Sequence, residues 1–321
     1  MRTSVAFATA CGLALSGAIK LSLAPGLAAA QSDQNLVWCK GEDKASPQQR
    51  INGCTALIQS GTSAGRELAQ YYFGRAVGYF EEHDLDSAIE QLDAGLTLDP
   101  ENVVAFYNRA VAYEAKGETA TALKDYDAAI ALKPDYLKAL ANRGAIYFGK
   151  GDYDRAIEDQ NHVIALNPSD PTTLVNRGRS YVEKGEYDRA IQDFNQAVRL
   201  NELRFAPPSD FALYNRGFAL LAKGEDDRAI GDFNQAMTTG HPNPLIFEGL
   251  GLAFLRQGQF DQAIVDFDQA LELQPTLASA LYGRGVAKLK KGDRASGDAD
   301  INGAKAIKPN IAKDLERYGV M

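Results

Sequence analysis

The stretch Gly-Asp-Tyr-Asp-Arg-Ala-Ile at residues 151–157 decides how this 321-residue chain folds. It returns as Gly-Glu-Tyr-Asp-Arg-Ala-Ile at 185–191, and in looser form at 117–123, 224–230 and 258–264. The alanine of each copy marks a period of 34 residues, interrupted by one step of 39, at Ala88, Ala122, Ala156, Ala190, Ala229 and Ala263, with Gly297 in the last copy. A period of this length is typical of a helix-turn-helix unit, so the repetition predicts a helical solenoid.

Each copy has the same kinds of residue at the same positions. The eighth position is Ala or Gly throughout, which allows two helices to approach closely, and the twenty-fourth is large and apolar in every copy except the third, which has Gln160. Glycine ends the first helix of six copies, where a left-handed backbone is expected, and His83 replaces it in the first copy. We therefore expect two packed helices joined by a tight turn in each copy.

This pattern resembles the tetratricopeptide repeat family over residues 69–311. The resemblance implies an all-α protein, a right-handed α-solenoid of about seven helix-turn-helix units, with the boundaries 69–102, 103–136, 137–170, 171–209, 210–243, 244–277 and 278–311. Five extra residues in the fourth unit fall within 201–209 and predict a longer turn. Because the last unit has an uncovered face, we expect residues 312–321 to form a C-terminal capping helix.

Residues 1–30 have the features of a signal peptide for export. A basic start precedes an apolar run over 5–19, and a small-residue cleavage site ends at Ala30. An uncleaved membrane anchor is the alternative, but Lys20 interrupts the run before it reaches the length that spans a bilayer. Lipidation of Cys11 is a second alternative, although the residues before it lack a large aliphatic side chain. We expect a mature protein, without stable membrane insertion, that is periplasmic in a Gram-negative bacterium or secreted.

Residues 31–68 form a leader ahead of the repeats. Its two cysteines, Cys39 and Cys54, are an even pair in a chain expected in an oxidising compartment, so we predict a disulfide between them. Two free thiols or half of a zinc site are the alternatives. The pattern predicts one helix in the leader, over residues 47–60, and an irregular segment around Trp38.

The composition excludes several classes of function. Lys and Arg total 34 against 42 Asp and Glu, a formal net charge of −8, so the chain has no overall positive field to hold nucleic acid. The three Cys and three His lie far apart, and the sequence has no nucleotide-binding loop, zinc-protease motif or serine-nucleophile motif. We expect no enzyme activity, no metal and no cofactor.

Asparagine recurs at the sixth position of four copies, as Asn108, Asn142, Asn176 and Asn215. The resemblance implies that this position faces the concave groove, where tetratricopeptide superhelices use asparagine ladders to hold an extended peptide backbone. One amide can donate to a peptide carbonyl and accept from a peptide N–H, whatever the sequence of the ligand. The alternative is that asparagine serves solubility or local structure here.

Other first-helix positions that the resemblance places in the groove are mostly apolar or aromatic. We predict that Tyr107, Tyr214 and Phe218 anchor a bound segment, since exposed aromatic patches mark protein-binding sites. Lys138 and Arg179 supply the only positive charge at these positions. The alternative is that about half of the apolar side chains pack between neighbouring helices instead.

Arginine occupies the seventh position of six copies, and aspartate occupies the twenty-third position of six copies. Opposite charges that recur in phase predict Arg–Asp pairs within or between repeats, which is a structural role. A ladder of arginines for phosphate or carboxylate groups is the alternative. In the sixth copy, Leu250 takes the place of the arginine.

Together these features predict a scaffold or adaptor of the bacterial cell envelope that binds a protein or peptide segment in its groove. A self-associating structural element, whose partner is a second copy of the chain, is the alternative function. Light scattering separates the two, because an adaptor is expected to stay monomeric.

Overall fold

The computed structural model describes residues 25–203, 210–238 and 243–320. These residues form seventeen helices and no strand, which confirms the predicted all-α class. Most of the predicted signal peptide, including Cys11, and much of the predicted longer turn within 201–209 lie outside the described residues. Within the described ranges, none of the helices has the length and apolar character needed to cross a membrane.

The chain divides into two compact units, Met1–Pro100 and Glu101–Met321. The described part of the first unit contains four helices, which are α1 (Pro25–Lys40), α2 (Pro47–Ser60), α3 (Gly65–Glu81) and α4 (Leu85–Leu98). The prediction of one helix in the leader is wrong, because α1 extends into the leader and lies ahead of α2. The first helix of the first repeat, α3, begins four residues before the position expected from the repeat period.

A disulfide joins α1 to α2. Cys39 and Cys54 are bonded, with their Cα atoms 4.6 Å apart, and both are buried. The segment around Trp38 is helical rather than irregular. A helix places Leu36 and Cys39 on one face, where they join Leu57 of α2 in a single apolar cluster, and this burial favours the helical form.

Helix α2 has local signals at both ends. Ser46 Oγ accepts a hydrogen bond from the Gln49 N–H at 3.2 Å, and Gln49 Oε1 accepts one from the Ser46 N–H at 2.9 Å, which is a capping box. Pro47 begins the helix, and Gly61 ends it in the left-handed conformation. These caps satisfy backbone groups that have no partner within the helix itself.

In the first repeat, one residue forms a tight turn between the two helices and another allows a helix to approach the leader closely. His83 has a φ of 62°, so it adopts the left-handed conformation that glycine takes at this place in the other copies. Gly74 of α3 lies against the disulfide, because a Cβ at this position would be 2.9 Å from Cys54 Sγ. A larger residue at position 74 would push α3 away from the leader helices.

The described part of the second unit contains six helix pairs and a short final helix. The first helices are α5 (Val103–Ala115), α7 (Leu137–Gly149), α9 (Pro171–Glu183), α11 (Asp210–Lys223), α13 (Pro244–Arg256) and α15 (Ala278–Lys290). The second helices are α6 (Thr119–Leu132), α8 (Tyr153–Leu166), α10 (Tyr187–Leu203), α12 (Asp226–Met237), α14 (Phe260–Leu273) and α16 (Arg294–Ile307), and α17 (Ile311–Glu316) follows. The paired helices pack mainly against their neighbours in sequence, as in a solenoid, whereas α17 packs against α15.

Large and small residues alternate where two repeats meet. The ring of Phe233, at a twenty-fourth position, is fully buried. A Cβ on Gly217, at the eighth position of the same repeat, would lie 2.7 Å from this ring, and a Cβ on Gly249 in the next repeat would overlap it. Glycine at both places therefore lets one aromatic ring fill the space between two repeats.

The predicted Arg–Asp pairs are present in five repeats, and in four of them the arginine also contacts the preceding repeat. In the first repeat, Arg75 instead donates to Gln91, which stands at the aspartate position. Arg177 donates through Nε and Nη2 to Asp193 of its own repeat, at 2.8 and 2.7 Å. Its Nη1 donates to Asn161 of the preceding repeat at 2.7 Å. The same arrangement recurs at Arg143, Arg216 and Arg284. These guanidinium groups hold repeats together, whereas a ladder for an anionic ligand would require them to be free.

The sixth repeat departs from this arrangement. Leu250 stands at the arginine position, and the buried Asp266 accepts a hydrogen bond of 3.3 Å from the Gln262 amide. Burial raises the pKa of the Asp266 carboxyl. The partner of the Asp266 carboxyl is therefore an amide, whereas the aspartates at the same position of other repeats pair with a guanidinium group.

Candidate peptide-binding groove

Five of the first helices of the second unit line a cavity of about 780 Å³. We call this surface, on α7, α9, α11, α13 and α15, the groove. Its wall includes Phe148, Arg179, Tyr214, Phe218 and Glu248, and its other side is formed by α17 and the residues that follow α17. A concave surface with apolar walls and a few polar groups is typical of a binding site.

The groove brings together the predicted site residues of the fourth and fifth repeats. The main cavity is lined by four of them, Arg179, Tyr214, Asn215 and Phe218. Asn176 lines a smaller cavity of about 90 Å³, which also contacts Arg179 and Phe148. The candidate site is thus centred on α9 and α11.

The predicted site residues of the second and third repeats lie elsewhere. Tyr107 packs against Tyr126, with ring centroids 6.0 Å apart. Asn142 donates through Nδ2 to Tyr126 Oη at 3.0 Å, so its amide serves a contact between repeats. Lys138 is exposed and Asn108 is half-buried, and neither side chain lines the two cavities described above.

The sixth position of each repeat lies between the groove and the surface that contacts the preceding repeat. Where it is glycine, as at Gly249, a Cβ would point into the phenylalanine ring of the preceding repeat. Asn142 bonds to Tyr126 in the preceding repeat, whereas Asn215 donates to the backbone oxygen of Phe211 at 2.6 Å. An amide has two donor hydrogens and an acceptor oxygen, so one internal bond leaves capacity for a ligand.

Arg179 is held at the groove wall by aromatic rings. Its guanidinium carbon lies 4.8 Å from the ring centroid of Phe148 and 5.7 Å from that of Phe211. Phe211 in turn packs edge-on against Tyr214, with centroids 5.4 Å apart. Cation–π contacts of this kind fix the position of the charge, so the cluster presents a cation and aromatic faces to a ligand.

Glu248 of α13 is a buried acid in the groove that sequence reasoning missed. Its exposed fraction is 6%. Burial raises the pKa of its carboxyl to about 7, against the opposing effects of a hydrogen bond with Ser279 and the charge of Lys308. Glu248 stands at the fifth position of its repeat, which is apolar or aromatic in the other six copies. This single acid in an apolar series is the sequence signal that could have identified it.

The C-terminal residues enter the groove. The predicted capping helix over 312–321 is shorter than expected, because α17 ends at Glu316. Beyond it, the ring of Tyr318 lies 5.7 Å from that of Phe218, and Arg317 Nη1 lies 3.2 Å from Glu183 Oε2 on α9. Six helical residues are too few for a periodic pattern, so this placement could not be predicted from hydrophobic spacing.

The groove can recognise a ligand by shape, hydrogen bonds and charge. Its polar groups include two guanidinium groups, an ammonium group, an amide, hydroxyls and carboxylates, which are set among aromatic rings. In the part of the chain that the structure describes, no group of three or more His, Cys, Asp and Glu residues is arranged to hold a metal ion.

Models of tetratricopeptide repeats match most of the repeat region. A model described as TPR repeat matches residues 78–117 and 251–292, and models described as Tetratricopeptide repeat match 103–136, 137–170 and 175–243. No curated protein matches the chain.

Solved structures with the same fold include other repeat proteins. A tetratricopeptide repeat protein from Parabacteroides merdae is 22% identical, over 78% of this chain and 98% of that chain, with a TM-score of 0.65. The C-terminal part of a TPR repeat-containing protein from Cytophaga hutchinsonii is 18% identical, over 79% of this chain and 98% of that chain, with a TM-score of 0.61. The APC/C hetero-tetramer Cut9–Hcn1 matches with 16% identity, over 94% of this chain and 57% of that chain, at a TM-score of 0.59.

At these identities the likeness concerns the fold. That fold is a general scaffold for protein–protein interaction and is typically non-catalytic, and none of the matches indicates an enzyme family. The repeat period, the helix pairs and the matched models agree, and the chain belongs to the tetratricopeptide repeat family.

Proposed function

We propose that this protein is an exported adaptor that binds a peptide or protein segment in the groove. The repeat fold is a general interaction scaffold, and the groove gives it a specific surface. One observation carries the proposal, which is the cavity of about 780 Å³ whose wall combines Arg179, Tyr214, Asn215 and Phe218. Aromatic and arginine side chains in a concave site are the residue types that dominate protein interfaces energetically.

Each group in the groove has a distinct part in binding. Tyr214 and Phe218 offer rings to apolar side chains of the ligand, and an aromatic contact contributes about 0.5–1.5 kcal/mol beyond the burial of its area. Asn176 and Asn215 offer amides to the ligand backbone, where a hydrogen bond has a net value of about 0.5–1.5 kcal/mol. Arg179 adds a preference for an acidic or aromatic group beside them.

Export to an oxidising compartment is the second part of the proposal. The signal-peptide pattern of residues 1–30 and the disulfide between Cys39 and Cys54 support it, because disulfides persist in the periplasm and outside cells. N-terminal sequencing of the protein from a periplasmic fraction should begin at Gln31. A cytoplasmic protein that retains residues 1–30 would contradict export.

A display library of random peptides tests groove binding with no assumption about the sequence of the partner. Peptides selected on the purified protein should bind Arg179→Ala and Tyr214→Ala at least fivefold more weakly, because each loss removes about 1 kcal/mol or more of contact free energy. Isothermal titration calorimetry measures the dissociation constants.

Arg199→Ala is the matched control, because Arg199 is exposed on α10, the second helix of the repeat that contains Arg179. It should change the dissociation constants by less than twofold. If Arg199→Ala weakened binding as much as Arg179→Ala did, the binding surface would lie outside the groove.

A further inference from the structure

The chain's own C-terminal residues lie on the surface that we assign to a partner. Ile311 and Leu315 of α17 are 3% and 2% exposed and anchor this helix to the core of the second unit. Beyond α17, Gly319 has a φ of 69°, which turns the chain so that Val320 is also buried. Arg317 and Tyr318 stand between these anchors.

These two side chains contact earlier repeats. Arg317 Nη1 and Nη2 donate to Glu183 Oε2, at 3.2 and 3.3 Å, although Glu183 on α9 is 134 residues earlier in the chain. Tyr318 contacts the ring of Phe218 on α11. Both Glu183 and Phe218 line the groove cavity. The tail therefore has a basic side chain and an aromatic one in contact with two separate repeats of the groove.

The contacts of the tail are specific but individually weak. The side chains of Arg317 and Glu183 are each 33% exposed, and exposed ion pairs contribute little because water screens them. Helix α17 has six residues, which is too short for a stable helix without tertiary contacts. Ile311, Leu315 and Val320 hold the backbone in the core, while the side chains of Arg317 and Tyr318 can exchange with a ligand that makes the same contacts.

At this end of the groove, Glu183 and Glu248 line the cavity beside Arg317 and Lys308. Burial raises the pKa of Tyr318, and the neighbouring carboxylates of Glu248 and Glu183 raise it further, while Arg317 opposes them. The Tyr318 ring lines the same cavity as these two acids. Arg317 supplies a positive charge beside them, and a partner would need an equivalent group.

We propose that the side chains of Arg317 and Tyr318 are a built-in ligand of the groove and compete there with a partner segment of the same chemistry, a basic residue followed by an aromatic one. This inference rests on the proposed function. The basic residue of the partner meets Glu183, and its ring packs on Phe218. Because only molecules with a displaced tail can accept the partner at this end, the tail lowers the apparent affinity in proportion to the open fraction.

A labelled peptide with the sequence of residues 311–321 tests the competition on the full chain. It should bind the double variant Arg317→Ala, Tyr318→Ala about threefold or more tightly than the wild-type protein, because the variant's own tail loses both groove contacts. Adding Glu183→Arg to the double variant should raise the dissociation constant of the peptide at least threefold. Fluorescence anisotropy gives the dissociation constants, and circular dichroism checks that every variant is folded.

Glu316→Ala is the matched control, since Glu316 is an exposed neighbour of Arg317 on α17. It should bind the peptide as the wild-type protein does, within twofold. Equal affinity of the wild-type protein and the double variant, or binding to neither, would overturn the inference. If library peptides then bound the groove of both proteins equally, groove binding would stand without the tail's role; if no library peptide bound either protein, both proposals would fall.

Discussion

Asp232 and Asp266 occupy the same position of adjacent repeats but have different partners. Each is 7% exposed. Asp232 accepts two hydrogen bonds of 2.6 Å from Arg216, whereas Asp266 has the Gln262 amide. A buried carboxylate is costly unless a cation or several donors compensate for its lost hydration, so the two aspartates should affect stability with opposite sign.

The same substitution at the two sites tests this difference. At pH 7, Asp266→Asn should raise the free energy of unfolding by about 1 kcal/mol, because a neutral amide costs less to bury than a carboxylate. Asp232→Asn should lower it by about 3 kcal/mol, because Arg216 loses its bidentate partner. Urea denaturation measures both values, and equal destabilisation by the two substitutions would disagree with the structure.

Glu248 gives a prediction about pH. Its pKa is raised to about 7 in the folded protein, so the unfolded chain loses this proton at lower pH than the folded protein does. The protonated carboxyl makes its full contribution to the free energy of unfolding below about pH 4.5, and this contribution is lost as the pH rises to 7. Glu248→Gln should remove this loss and gain up to about 3 kcal/mol over the wild-type protein at pH 8. A gain that is equal at pH 4 and pH 8, in urea titrations, would contradict the pKa.

Single residues could be predicted where their role follows from the repeat period. The Arg–Asp pairs recur in phase, so the sequence indicated them, although it did not show that four of the arginines also contact the preceding repeat. Glu248 was missed because burial of one acid depends on how α13 packs against α15 and the tail. Asn142 was placed in the groove, whereas its amide bonds to Tyr126, a residue that only the second repeat has at the twenty-fourth position.

Among the elements, the leader helices depend most on one covalent link. Cys39 and Cys54 are 15 residues apart, and a loop of about this length stabilises by about 3 kcal/mol when it is closed by a disulfide. The double variant Cys39→Ser, Cys54→Ser should lose this amount and should not respond to a reducing agent. Thermal unfolding followed by circular dichroism measures both effects. An unchanged melting temperature on reduction of the wild-type protein would contradict the stabilising role.

Helices α1 and α17 show why some elements escape sequence-based prediction. The first lies where the predicted signal peptide ends and the predicted leader begins, and its apolar residues were assigned to the export signal or to a loop. The second is only six residues long and continues into a turn at Gly319. Both are stabilised by contacts with neighbouring helices, and neither has a copy elsewhere in the chain to reveal it.

At the scale of the molecule, repetition made the fold predictable. In a solenoid each repeat contacts the repeats next to it, so the packing within one repeat recurs in all of them. The groove was harder to predict, because its lining depends on three or more successive repeats and on the C-terminal residues. The predicted residues of the fourth and fifth repeats line it, whereas those of the second and third repeats do not.

Much of the acidic charge of the whole molecule is used inside the repeats. The net charge of −8 includes a series of aspartates that are bonded to arginines in the repeats. Those acids are part of the internal structure and are not offered to a partner. The acids that line the groove cavity are Glu183, Glu248 and Asp314, and under the proposed function these are the ones that face a partner.

Photo-crosslinking in the native organism tests the groove most directly. A benzophenone amino acid replaces Phe148, which lines both cavities, and in a second strain it replaces Val265, which is 53% exposed on the second helix α14. Mass spectrometry identifies the adducts. Groove binding predicts a discrete protein adduct from position 148 that is absent from position 265, whereas an adduct from position 265 with none from position 148 would contradict it.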